Sequence, residues 1–377
     1  MRRTSALLLT VSYLAFQTWP AGQLGAVSLN NDVAPDTAAA ANIYDSANTF
    51  PNVVWVNGCT GTLINSRTIL TAAHCFYDGQ TFDPGAPINI RFNPNVNVQS
   101  RFDQTAVGLN HEPTYNDNLT GNDIAVVTLK TPVTAIKPVV LVGPNDPRPG
   151  PGSLMVTVGY GQYGTGLDGG LYSTPVQQGG APVEPVRRRF GQTLLGAFEN
   201  WSFDRSPVIP VYAAQFRDPA FPANPDYYGL NAQGFAVPPL QAGNGAGDSG
   251  GPLFLVLPDG SLVQIGVLAL LTPTMALTPG TIQYGTIMGW TSVQEMLQWF
   301  NENNPLREVS AAAGDFNWSN QAAWIDRVSG VLGEVPNNRN GSFATPPGDA
   351  GRFFEVHLNN PGTITLCLLY TSDAADE

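Results

Sequence analysis

Short apolar runs alternate with turn-forming residues from residue 53 onward, and this pattern predicts β-strands rather than helices. Gly, Pro, Asn and Asp separate the runs, as is typical of an all-β barrel or sandwich. The predicted strands cover residues 53–56, 68–71, 88–92, 124–129, 154–158, 253–257 and 262–271. Periodicity is weak between residues 160 and 243, so we expect elaborated loops with a few strands there.

One later segment has a different period. Within residues 291–301, Val293, Met296, Leu297 and Phe300 recur at helical spacing. They predict one amphipathic helix that ends before Pro305, and we therefore place the boundary of the main domain at residue 304. Beyond this boundary the composition shifts to Asn, Gly and Ala, and residues 353–366 read as two alternating strands around a turn at 359–362.

The N-terminus has the features of a secretory signal. Arg2 and Arg3 precede an apolar run over residues 6–16, and small residues follow up to Ala26. A buried first helix or a membrane anchor is the alternative, but the run is short for a bilayer span. We expect residues 1–26 to be removed on export and the Ala- and Asn-rich residues 27–48 to form a leader or an extended arm.

Composition supports a folded, turn-rich chain. With 43% hydrophobic residues among 377, the chain can bury a substantial core. Only 12% of the residues are charged, whereas 40 are Gly and 32 are Pro, which again favours β-structure with many turns. The net charge of −12 repels phosphate backbones, and the basic cluster at residues 187–189 is too short to form a nucleic-acid surface. We expect no nucleic-acid partner.

Three cysteines in an exported chain would leave one unpaired. The last eleven residues, CLLYTSDAADE at 367–377, read like the translation of a transposase adapter used in sequencing libraries. We therefore expect this tail to be an artefact, with a natural acidic tail as the alternative. Cys59 and Cys75 then remain as an even pair.

Three segments carry the groups that amide hydrolysis requires: a nucleophile, a base, a group that orients the base, and donors for the oxyanion. The sequence TAAHC follows an apolar run and puts His74 at the end of a strand. Asp123 directly precedes the next buried run, where its carboxylate can hold an imidazole. The sequence GDSGGP sets Ser249 among glycines, so that a substrate backbone can approach and the N–H groups of Gly247 and Ser249 can converge.

These three motifs, in this order, resemble those of the trypsin-like serine proteases. The resemblance covers roughly residues 53–304, including a Gly-Tyr-Gly at 159–161 and the closing helix. It implies two packed antiparallel β-barrels with the site between them, and a secreted serine endopeptidase, spanning residues 49–304, that acts on protein or peptide substrates without metal or organic cofactor. In that family the residue matching Ser249 attacks the carbonyl, that matching His74 is base and then acid, and that matching Asp123 fixes the imidazole tautomer.

The resemblance also implies a disulfide between Cys59 and Cys75 that closes the loop bearing His74. A metal site at these thiols is a poor alternative, because the nearby histidine is needed as the base. We expect a structural role for His111 and no role for His357.

Specificity is expected to depart from trypsin itself. The resemblance puts Gly243, six residues before the nucleophile, at the base of the specificity pocket, where an acidic residue would pair with substrate Lys or Arg. Ala269, Leu270 and Leu271 stand where the family usually has Ser-Trp-Gly. A buried substrate cation without a partner is costly, so we expect cleavage after small or medium aliphatic residues.

Two rival interpretations stay open. The first is a non-catalytic binding module on the same scaffold. The second is a protease module at the front of a bacterial autotransporter or adhesin on the Gram-negative outer membrane, because residues 305–366 resemble the start of a β-helical passenger, although a plain spacer fits them as well.

No Lys or Arg occurs between Arg3 and Arg67, which excludes activation by tryptic cleavage upstream of the domain. In the family a new N-terminal amine pairs with the residue matching Asp248, so we expect signal removal to supply that amine or a side chain to replace it.

Overall fold

The computed structural model describes residues 28–29, 44–76, 87–111, 122–161, 163–166, 169–172, 177–178, 181–182, 186–201, 209–219, 226–272, 283–304, 306–326, 335–336, 353–358 and 362–365. The predicted signal at 1–26 and the predicted artefact at 367–377 lie outside these ranges. Within them, no helix combines the length and apolar character needed to cross a bilayer.

The first half of the fold is a closed six-stranded barrel. Its strands run β2-β3-β4-β7-β6-β5 around the barrel. Aliphatic side chains from five of them, Val54, Leu63, Ile69, Ile90 and Val127, are fully buried in one cluster. The strands up to this point are β1 (Ser28–Leu29), β2 (Val53–Val56), β3 (Cys59–Asn65), β4 (Thr68–Thr71), β5 (Asn89–Arg91), β6 (Gln104–His111) and β7 (Ala125–Leu129).

The second half is a seven-stranded sheet in the order β13-β8-β17-β18-β19-β15-β14, with antiparallel neighbours. Its core holds Met155, Tyr212, Leu253, Val267 and Trp290, each fully buried. The strands of this half are β8 (Leu154–Gly159), β9 (Tyr163–Thr165), β10 (Gly169–Tyr172), β11 (Gln177–Gln178), β12 (Ala181–Pro182), β13 (Arg189–Leu194), β14 (Ala197–Trp201), β15 (Ile209–Gln215), β16 (Ala242–Gly243), β17 (Pro252–Val256), β18 (Leu262–Thr272) and β19 (Ile287–Ser292). The mostly β fold with a closed barrel and a C-terminal helix is confirmed.

Two predicted elements can be compared with the structure in detail. Between residues 160 and 243, where we expected loops with a few strands, β13, β14 and β15 belong to the main sheet. The predicted helix at 291–301 starts later, because Thr291 and Ser292 extend β19 and pair with β15 and β18. A 3-10 turn at Gln294–Met296 then leads into α1 (Leu297–Asn303), whose Leu297 and Phe300 are buried as the spacing predicts.

Residues 44–48, which we expected in an arm, are anchored to the second half. The carboxylate of Asp45 forms a fully buried ion pair with Arg188 at 2.8 Å and accepts the N–H groups of Thr49 and Phe50. The guanidinium of Arg188 also donates to the carbonyl of Val53 at 2.7 Å. The basic cluster at 187–189 therefore contributes a buried structural ion pair.

The C-terminal described segment pairs with itself through two parallel strand pairs and one antiparallel pair. Its strands are β20 (Leu306–Ala311), β21 (Phe316–Asn317), β22 (Trp324–Asp326), β23 (Phe353–His357) and β24 (Ile364–Thr365). β20 pairs with β23 and β21 with β24, joining residue 306 to 353 and residue 316 to 364, so the two registers span nearly equal lengths of chain. The two predicted strands in 353–366 are present, while residues 359–361 of the predicted turn lie outside the described ranges.

Candidate active site

His74 and Asp123 meet because their strands are neighbours. β4 and β7 pair antiparallel with Thr71 opposite Ala125, so the end of β4 lies beside the start of β7. His74 follows in a 3-10 turn at Ala73–Phe76. Its Nδ1 lies 2.5 Å from Asp123 Oδ2, and its backbone N–H donates to Asp123 Oδ1 at 2.9 Å. The carboxylate is buried, and the imidazole keeps 27% of its side-chain surface exposed.

The electrostatics of the pair favour a charged imidazole. Burial alone lowers the pKa of His74, since it removes water from the cation. The negative charge of Asp123 and its hydrogen bond to the ring act in the other direction and outweigh burial, so the pKa of His74 is raised above its ordinary value of 6.5. Asp123 is therefore placed to stabilise a proton that the imidazole gains.

The loop that carries Ser249 lies against the end of β4. Gly247 and Gly250 have φ values of +91° and +81°, which glycine adopts without strain. A Cβ on Gly250 would approach the Thr60 carbonyl and the Thr71 hydroxyl to 2.2 Å. The Ser249 carbonyl in turn accepts the N–H of Thr60 at 2.8 Å. This close packing requires glycine and brings Ser249 beside the turn that bears His74.

Among the described residues, the N–H groups of Gly247 and Ser249 donate to no acceptor, and the Ser249 hydroxyl makes no hydrogen bond with His74. A hydrogen bond between nucleophile and base commonly forms or tightens only when substrate is bound.

Asp248 supports the loop from inside the protein. Its buried carboxylate accepts the N–H groups of Gly161 and Gly245, each at 2.8 Å. A Cβ on Gly159 would lie 2.0 Å from Asp248 Oδ1, which explains the first glycine of the Gly-Tyr-Gly sequence. Burial raises the pKa of Asp248 to about 7, against the lowering effect of these backbone bonds and of the Arg189 charge. Two backbone N–H groups and the Asn244 side chain thus bind a carboxylate for which we expected an amine or a side chain.

The predicted disulfide between Cys59 and Cys75 is confirmed. It ties the start of β3 to the residue after His74. The two sulfur atoms and an imidazole nitrogen lie within 4.8 Å of one another, as in a metal site. The two sulfurs are bonded to each other, however, and a disulfide offers no thiolate for zinc to bind.

The predicted specificity residues occupy two strands. Gly243 lies on β16, where it pairs with Ser28 of β1. Ala269 stands at a register shift of β18, and the following Leu270 and Leu271 pair with residues of β19. Gly243 lies six residues before Ser249, and Ala269 follows Leu268, whose backbone hydrogen-bonds Gly250 and Gly251 of the Ser249 loop.

Sequence reasoning missed two residues here. Met288, opposite Leu271, is fully buried, and its sulfur accepts the N–H of Asn244 at 3.1 Å, directly beside Gly243. Thr60 hydrogen-bonds the nucleophile loop, and its only sequence signal is a polar residue directly after Cys59 in a buried strand.

The other two histidines lie apart from the pair. His111 ends β6 opposite Ala125. His357 lies 3.4 Å from Glu355 on β23 and lines a cavity of about 330 Å³ between this strand and the first barrel. None of the predicted site residues lines that cavity.

Comparison with known proteins agrees with this geometry. The family model described as Trypsin matches residues 42–193, which include His74 and Asp123. Residues 42–193 are therefore similar to a trypsin-like serine protease domain. The Ser249 loop lies beyond the matched residues, and its position rests on the contacts given above.

Three curated proteins are similar to parts of this chain. Brachyurin of Leptuca pugilator is 38% identical over 106 residues, which cover 27% of this chain and 44% of the relative. The snake venom serine protease Haly-2 of Gloydius brevicauda is 34% identical over 110 residues, covering 28% and 40%. Clotting factor C of Tachypleus tridentatus is 31% identical over 143 residues, covering 34% and 14%. The chain thus spans less than half the length of these relatives.

Proposed function

We propose that this chain is a secreted serine endopeptidase with His74, Asp123 and Ser249 as its catalytic triad. The observation that carries the proposal is the packing of the Ser249 loop against the end of β4, beside an imidazole held by a buried carboxylate. Protein or peptide is the substrate class. No metal or organic cofactor takes part in the proposed reaction.

The proposed reaction passes through an acyl-enzyme. Ser249 Oγ bonds to the carbonyl carbon while its proton moves to His74, and Asp123 stabilises the resulting imidazolium. The N–H groups of Gly247 and Ser249 donate to the oxyanion. His74 then gives its proton to the leaving amine as the peptide bond breaks. A water molecule repeats these steps on the ester and releases the acid.

Labelling with a fluorophosphonate probe tests this proposal. We expect the wild-type chain to be labelled at Ser249 and to cleave a protein substrate. Ser249→Ala should lose both properties, with activity down at least about a thousandfold, while its melting temperature stays near that of the wild type. A folded wild-type chain that neither reacts nor cleaves would instead support the non-catalytic binding module. Residual turnover of Ser249→Ala within tenfold of wild type would refute the role of this serine.

An extracellular setting is supported by the predicted signal at 1–26 and by the disulfide, because disulfides persist in oxidising compartments. Expression with and without residues 1–26 tests it. We expect protease activity in the medium or periplasm only when the segment is present.

A second proposal concerns residues 305–366, as the start of a β-helical passenger in a larger autotransporter or adhesin. It is supported by the parallel pairs β20–β23 and β21–β24 with their nearly equal spans, since a coil that stacks on itself pairs in this way. The uninterrupted gene downstream of Leu366 tests it. Further strands at the same span are expected, and a stop codon directly after Leu366 would contradict it.

A further inference from the structure

Thr60 is a fully buried residue in β3 that contacts two separate loops. Its hydroxyl donates to the Gly247 carbonyl at 2.9 Å and accepts the N–H of Tyr160 at 3.0 Å. Its own backbone N–H donates to the Ser249 carbonyl at 2.8 Å. One residue of the first barrel therefore binds the nucleophile loop on both sides of Asp248.

These bonds fix the direction of the loop. The Gly247 carbonyl and the Asp248 N–H belong to one peptide plane, and they bond in different directions, to Thr60 and to the Gly245 carbonyl at 3.0 Å. With this plane held, and with the Ser249 carbonyl bound to the Thr60 N–H, the neighbouring peptide planes that carry the N–H groups of Gly247 and Ser249 have less freedom to turn. A hydrogen-bonded oxyanion requires such preorganised donors.

The hydroxyl of Thr60 also links the loop to its internal support. Tyr160, whose N–H it accepts, precedes Gly161, which binds the Asp248 carboxylate. A hydroxyl supplies one donor and two acceptor positions, and here it acts in both capacities. Removing it would leave the buried N–H of Tyr160 and the part-buried carbonyl of Gly247 without this partner, which favours a shift of the loop.

We infer that Thr60 is a positioning residue that sets the oxyanion-binding N–H groups of Gly247 and Ser249. The inference rests on the proposed peptidase function. Thr60 acts through the loop and touches no reacting atom.

A matched control lies two residues along the same strand. Thr62 is fully buried as well, and its hydroxyl donates to Gln264 Oε1 at 2.9 Å. Residues two apart on a strand share a face. Thr62→Val therefore removes a buried hydroxyl from the same face of β3 without touching the nucleophile loop.

The test compares Thr60→Val, Thr60→Ser and Thr62→Val in the full chain. The substrate is a peptide p-nitroanilide with alanine before the scissile bond. For Thr60→Val we expect kcat to fall roughly tenfold to a hundredfold with KM within about twofold, because the loss is confined to the transition state. Labelling by a fluorophosphonate should slow by a similar factor. Thr60→Ser should restore most of the rate, since it keeps the hydroxyl.

Thr62→Val should lower the melting temperature by about as much as Thr60→Val does. It should leave kcat within about twofold of wild type. The inference is overturned if the two valine variants have equal kcat at equal folded fraction. Should Thr60→Val not fold, Thr60→Ala and Thr60→Ser take its place, and equal kcat for these two overturns it. Failure of the proposed function gives a different result, namely a wild-type chain without labelling or turnover.

Discussion

Asp123 holds His74 at two points, with one carboxylate oxygen on the imidazole Nδ1 and the other on the backbone N–H of the same residue. A carboxylate bound in this way cannot turn without breaking a bond. It keeps the proton of a neutral imidazole on Nδ1 and leaves Nε2 as the acceptor. The ring is thereby fixed for proton transfer on its other side.

The first prediction concerns pH. A base must be neutral to accept a proton, so kcat/KM should fall as the pH drops below the pKa of His74. Because that pKa is raised, we expect the midpoint of this acid limb above pH 6.5. Measurement of kcat/KM between pH 5 and 9 checks it, and a midpoint clearly below 6.5 would contradict it.

The free energy of unfolding should respond to pH in the opposite sense to kcat/KM, and it should fall as the pH rises. A raised folded-state pKa of a cationic acid adds stability that is complete below the unfolded pKa and is lost as pH rises through the folded pKa. Burial raises the pKa of Asp248 as well, so its effect on stability also declines with rising pH, between 3.8 and about 7. Comparing the melting temperature with that of His74→Gln isolates the histidine. The gap between the two melting temperatures should widen as the pH falls through the raised pKa of His74, and it should be complete below about pH 6.5.

The second prediction concerns the substrate side chain before the scissile bond. Met288 lies on the backbone of Asn244 beside Gly243, so its side chain takes up space next to the predicted pocket base. We expect wild-type cleavage after small or medium aliphatic residues, and Met288→Ala should shift a peptide-library profile toward larger side chains by about tenfold. Met155→Ala, in the same core, is the control and should leave the profile unchanged. A dominant preference for Arg or Lys would show that the pocket is misassigned.

The third prediction concerns the disulfide. Replacing both Cys59 and Cys75 by serine frees a loop of 16 residues, which costs about 3 kcal/mol in the free energy of unfolding in the chain-entropy model. Because Cys59 precedes Thr60 and Cys75 follows His74, we also expect a loss of kcat in the molecules that remain folded. Denaturant unfolding and active-site titration measure the two effects. If the molecules that remain folded keep full kcat, the disulfide contributes to stability and not to the rate.

The fourth prediction concerns the N-terminal segment. Strand β1 pairs with β16, which carries Gly243 just before the nucleophile loop. A chain that begins at Tyr44 should therefore lose activity by at least about tenfold, whereas one that begins at Val27 should keep it. N-terminal sequencing of active enzyme should find no cut after Lys or Arg. Equal activity of the two chains would show that β1 is dispensable.

The site could be predicted where a functional residue directly adjoins an apolar strand in the sequence. His74 and Asp123 each adjoin an apolar strand, and the pairing of those strands joins them. Strand β13 was not recognised because its sequence, RFGQTL, lacks alternation of apolar and polar residues. The preceding Arg188 also suggested an exposed segment, because its partner Asp45 lies far away in the sequence. Thr60 and Met288 stayed hidden because burial gives no sign of which buried side chain contacts a loop far along the chain. The start of α1 was misjudged because strand pairing overrides helical periodicity at Thr291.

The span of chain between the paired groups has a consequence for the order of assembly. His74 and Asp123 are 49 positions apart, within the first barrel, whereas the Thr60 hydroxyl and the Gly247 carbonyl are 187 apart. During synthesis the N-terminal barrel emerges first, and contacts of long separation form last. A growing chain therefore acquires its base before its nucleophile exists. The proposed peptidase becomes complete only when the second sheet closes onto the first barrel, so a chain that ends before Ser249 cannot carry out the proposed reaction.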